Sequence, residues 1–64
     1  MYHNEDNSLI TVDELCEMLM IGKSIAYRLL NSNEIESFKI GRHWKIPRAS
    51  VEKYILEKSG LALH

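Results

Sequence analysis

Lys23, Ser24, Tyr27 and Arg28 recur at i, i+1, i+4 and i+5, offsets that share one face of an α-helix. Lysine and arginine donate to phosphate oxygens, and the arginine fork also matches the O6 and N7 edge of guanine. Serine and tyrosine hydroxyls serve the same phosphates. A second group, Lys39, Arg42, His43 and Lys45, packs four basic or potentially basic side chains into one short segment. The chemistry both groups suit is recognition of a polyanion. Two plainer readings compete: a solvated helix face, and edge-strand lysines that discourage aggregation. An outward tyrosine and the density of bases favour a binding face.

Other chemistry finds little support. His3, His43 and His64 share no metal-ligand spacing, and Cys16 is the single cysteine, so neither a metal site nor an internal disulfide is expected. There is no nucleophile–base constellation and no glycine-rich phosphate loop. A chain of 64 residues does not readily enclose a substrate pocket of about 300 Å³ or more. The expectation is a non-enzymatic protein without cofactor, metal or small-molecule ligand. No apolar run reaches the roughly 18 residues of a membrane span, and the N-terminus lacks the marks of a signal peptide. A cytoplasmic location follows as an expectation.

The net charge of −1 hides a strong asymmetry. Residues 1–21 carry five acids and no lysine or arginine. Residues 22–48 carry six bases against two acids, a net of +4. A polyanion is met by one face only, so the local excess matters more than the total.

The elements that must position these residues can be read from period and caps. Thr11 and Glu14 form a capping box, and Val12, Leu15, Cys16 and Leu19 form one apolar stripe, predicting a helix over 12–20. Cys16 is then a small buried hydrophobe. Gly22 breaks the pattern, and a second helix follows over 23–31 with Ala26, Leu29 and Leu30 inward. Asn31, Ser32 and Asn33 end it with residues that tolerate left-handed backbone.

From Phe38 the period changes to two, and Gly41 marks a hairpin. The alternation predicts Phe38, Ile40, Trp44 and Ile46 on the face against the helices and Lys39 and Lys45 outside. Arg42 and His43 would form the tip. Pro47 opens a third helix over about 48–58, with Val51, Tyr54 and Ile55 as its apolar stripe and Gly60 as its stop. The domain plan is a disordered N-terminus over 1–8, a folded domain over 9–58 and a tail over 59–64.

The stretch from Leu9 to Leu56 resembles the excisionase-type, MerR-like helix-turn-helix domains. The likeness rests on Leu9-Ile10-Thr11-Val12-Asp13-Glu14, on Ser24 with Tyr27-Arg28-Leu29-Leu30, and above all on Ile40-Gly41-Arg42-His43-Trp44-Lys45-Ile46-Pro47. It implies an α+β winged helix-turn-helix: two helices, a two-stranded antiparallel hairpin wing and a C-terminal helix. It also implies double-stranded DNA as partner, with Lys23, Ser24, Tyr27 and Arg28 on the recognition helix and Lys39, Arg42, His43 and Lys45 on the wing.

Free-standing relatives of this size often act as recombination directionality factors that bend DNA for a tyrosine integrase. An integrase partner and cooperative self-association on DNA are therefore expected. A small transcriptional regulator of the same fold is one alternative. A protein-interaction adaptor using the acidic N-terminal face is another. Two departures from the family pattern stand out: Gly22 replaces a common serine, weakening the cap, and Ile25 replaces a small polar residue. Ile25 is read as packing inward rather than meeting a thymine methyl group.

Overall fold

The computed structural model describes residues 8–60. Along the chain run β1 (Leu9–Ile10), α1 (Val12–Leu19), α2 (Lys23–Asn31), β2 (Phe38–Ile40), β3 (His43–Pro47) and α3 (Arg48–Ser59). This is the expected α+β winged helix-turn-helix, with one strand more than foreseen.

Local chemistry sets the helix ends. The Glu14 N–H donates to Thr11 Oγ1 at 3.1 Å, and the Thr11 N–H donates to Glu14 Oε1 at 2.9 Å. The capping box therefore starts α1 where its sequence placed it. Met20 closes α1 in the left-handed region, φ 57° and ψ 49°, and the Ile21 N–H donates to the Cys16 carbonyl at 3.0 Å. Gly22 begins α2 without any side-chain cap. At the far end Asn33 takes a φ of 63°, and the Glu34 N–H returns to the Leu29 carbonyl at 3.0 Å.

The sheet is antiparallel in the order β1-β3-β2. Leu9 faces Pro47 and Ile10 faces Ile46, so the strand just before α1 clamps the inner wing strand. Ser8 extends the clamp: its carbonyl accepts from the Arg48 N–H at 3.0 Å, and its hydroxyl from Arg48 Nε at 3.2 Å. The expected disorder of residues 1–8 otherwise falls outside the described residues, as does the tail beyond Gly60.

One core joins every layer. Ile10, Leu15, Ala26, Leu29, Leu30, Ile35, Ile46 and Val51 are buried, and Cys16, Trp44 and Tyr54 pack partly against them. Ile35 enters from the α2–β2 connection, where no periodic pattern marks it.

Four expectations are corrected. Phe38 and Ile40 do not face the helices; they are 47% and 60% exposed. The observed register pairs Phe38 with Lys45, Lys39 with Trp44 and Ile40 with His43. Directly opposed residues share a face, so Phe38, Ile40, His43 and Lys45 lie outside, while Lys39 joins Trp44 and Ile46. The tip is thus Gly41-Arg42, not Arg42-His43, and Gly41 has a φ of +62° where a tight hairpin turn wants glycine. Ile25 is 39% exposed and does not pack inward. Ile55 likewise points outward at 36%, leaving Val51 and Tyr54 to seat α3.

Candidate nucleic-acid interface

The inward face of α2 is spent on Ala26, Leu29 and Leu30, which turns the remaining positions outward. Lys23, Ser24, Tyr27 and Arg28 are all exposed. On the wing Lys39, Arg42 and His43 are exposed and Lys45 is half-buried.

The two groups meet. An open cleft of about 270 Å³ is lined by Lys23 and Tyr27 from α2, by Arg42, His43, Trp44 and Lys45 from the wing, and by Thr11, Val12 and Asp13 at the start of α1. Five of the eight residues singled out from sequence therefore border one space. Ser24, Arg28 and Lys39 do not line it. Lys39 instead sits with its Nζ 5.1 Å from the Trp44 ring centroid, a cation–π contact that follows from their shared face.

Trp44 is half-buried, as its inward alternation implied, yet it also lines the cleft. Asp13 is the residue that sequence reasoning missed. Its Oδ1 lies 3.1 Å from Lys23 Nζ, with both side chains exposed. The hydrogen bond and charge of Asp13 raise the Lys23 pKa above its ordinary value. Ten positions separate the pair, and only the helix-turn-helix brings them together. No local spacing could have announced it.

A second cleft, of about 190 Å³, lies at the other end of α2 and is lined by Asn33, Glu34, Glu36, Ser50, Lys53, Tyr54 and Glu57. Three carboxylates against one ammonium make it repel a polyanion. Among the described residues no cluster of His, Cys, Asp and Glu could hold a metal ion, and no helix is long and apolar enough to cross a membrane. His3 and His64 lie outside the described residues.

Comparison with known proteins agrees with this geometry. The family model for the helix-turn-helix domain matches residues 9–59. A probable excisionase of Saccharopolyspora erythraea is 44% identical over 46 residues, covering 72% of this chain. The chain spans about half (47%) of that relative's length. No solved structure matches. The chain belongs to the helix-turn-helix domain family, as its resemblance to excisionase-type domains implied.

Proposed function

We propose that this domain binds duplex DNA as an excisionase-type factor, with α2 in the major groove and the wing on the adjacent backbone. The observation that carries this reading is the convergence of Lys23 and Tyr27 with Arg42, His43 and Lys45 on one open cleft. A phosphate entering it would meet several donors at once, and the acid-lined cleft beyond the other end of α2 leaves that side unsuited to DNA. The uncapped start of α2 adds to this. Gly22 supplies no side-chain acceptor and the first turn holds no acid, so free N–H groups await an anion.

Arg28 and Ser24, exposed on α2 outside the cleft, are the groups for base edges. Arg42, His43 and Lys45 hold the backbone. The likeness to a probable excisionase supports recombination as the setting, with DNA bending beside an integrase as the output. Bending a 20–30 base-pair site costs on the order of 1–6 kcal/mol, more than one small domain readily recovers. Two or more copies loading together on adjacent sites would supply the difference.

The test is a titration of duplex DNA across ionic strength. Affinity should fall with a log–log slope of about −0.9 per phosphate neutralised. Binding without salt dependence, or none at low salt, would remove DNA from the reading and leave the adaptor role. Circularly permuted fragments carrying natural attachment sites then test bending. Straight DNA with one-to-one binding favours transcriptional regulation instead.

A further inference from the structure

The Asp13–Lys23 pair is not explained by DNA binding and at first opposes it. Asp13 places a carboxylate beside the cleft's cations Lys23, Arg42 and Lys45, and it occupies the ammonium best placed at the start of α2. Stability alone is a poor reason for the pair. Both side chains are exposed, and exposed ion pairs contribute little because water screens them and their order costs side-chain entropy. Asp13 is a first-turn acid of α1 and complements its dipole, but the complete capping box of Thr11 and Glu14 already sets where the helix begins. Its carboxylate also stands in the cleft, where it holds Lys23.

We propose that Asp13 is a brake on sequence-independent DNA binding, acting by holding Lys23. The inference rests on the DNA-binding reading above and adds a residue that sets the strength of phosphate binding. In the free protein the ammonium is neutralised within the molecule, so the cleft meets any passing phosphate with one cation fewer. While the pair holds, Lys23 makes no phosphate contact, and breaking it costs part of what that contact would return. Random sequence reports the restraint most directly, because phosphate contacts supply nearly all the affinity there.

The experiment uses the full chain and a random-sequence duplex, with Asp13→Asn, Glu17→Gln, Lys23→Gln and the double variant Asp13→Asn/Lys23→Gln. Glu17 is an exposed acid of the same helix outside the cleft, so its variant makes the same change in net charge. Asp13→Asn should tighten random binding at low salt by about two- to fivefold. It should also steepen the log–log salt slope by about 0.9, one phosphate's worth. Glu17→Gln should give a smaller gain and leave the slope unchanged.

In the Lys23→Gln background the Asp13→Asn gain should disappear. A gain that persists there overturns the proposal, because Asp13 would then act without Lys23. Equal effects of Asp13→Asn and Glu17→Gln overturn it too, reducing the matter to net charge. Circular dichroism of each variant reports folding separately. If the parent protein binds no duplex at any salt, the DNA reading itself fails and the brake falls with it. A parent that binds and an Asp13→Asn variant that does not differ from it overturn the brake alone and leave the DNA reading standing.

Discussion

The two ends of α2 are built alike and charged oppositely. Each is reached through a non-glycine residue in the left-handed region, Met20 at φ 57° before it and Asn33 at φ 63° after it. Each borders a cleft. At the first end Lys23, Arg42 and Lys45 face one carboxylate, Asp13; at the second Glu34, Glu36 and Glu57 face one ammonium, Lys53. On the proposed reading, this contrast orients α2 on a polyanion, a polarity that the net charge of −1 conceals.

The sharpest way to break the contrast is to reverse one charge at each end. Arg42→Glu should weaken binding to any duplex by roughly tenfold or more, because a like charge then faces phosphate. Lys53→Glu adds a carboxylate to the cleft that the proposed binding mode leaves empty, and screening should keep its effect within about twofold at physiological salt. Parallel titrations on one random duplex decide it. Equal losses would mean that DNA is not confined to the first end of α2.

A second comparison lies within the basic side, between helix and wing. Arg28→Ala should cost about 1–3 kcal/mol at a natural site and relax sequence preference there. Arg42→Ala should weaken natural and random duplexes by similar factors and lower the salt slope by about 0.9. Competition titrations with both sequences separate the two. If each variant lost the same factor on every sequence, base reading would not reside in Arg28.

These residues also show where a sequence stops being legible. The capping box of Thr11 and Glu14, the span of α2, the hairpin glycine and the Pro47 start of α3 are local signals, and each appears where its neighbours put it. The face of β2 was misread for a reason one residue wide. A three-residue loop over 41–43 would have paired Ile40 with Trp44. The two-residue tip pairs Ile40 with His43 instead, and a slip of one turns every side chain of the strand over. β1 was invisible because two residues carry no period, and its partner Pro47 lies far along the chain. Asp13 was passed over for the same reason: its partner Lys23 is near only after folding. The exposed residues of one helix face could be grouped from spacing alone, whereas the cleft that Lys23 and Tyr27 share with the wing could not.

The smallest effect concerns the paired left-handed residues. Asparagine enters this region readily because its short polar side chain can hydrogen-bond locally, whereas methionine has no such compensation. Met20 is 90% exposed, so removing its side chain gives up almost no buried surface. Met20→Gly should relieve backbone strain at the end of α1, part of which is offset by the greater freedom of glycine in the unfolded chain. A net gain of about 0.5–1 kcal/mol is expected, raising the Tm by about 3–6 °C for a domain of this size. Asn33→Gly removes much less strain and meets the same entropic offset, so its stability should stay within about 0.5 kcal/mol of the parent. Thermal unfolding of the two variants side by side makes the measurement. Equal shifts would show that the two turns are alike in strain as well as in shape. A stabilised Met20→Gly that kept its DNA affinity would show that the strain is not used in forming the basic cleft.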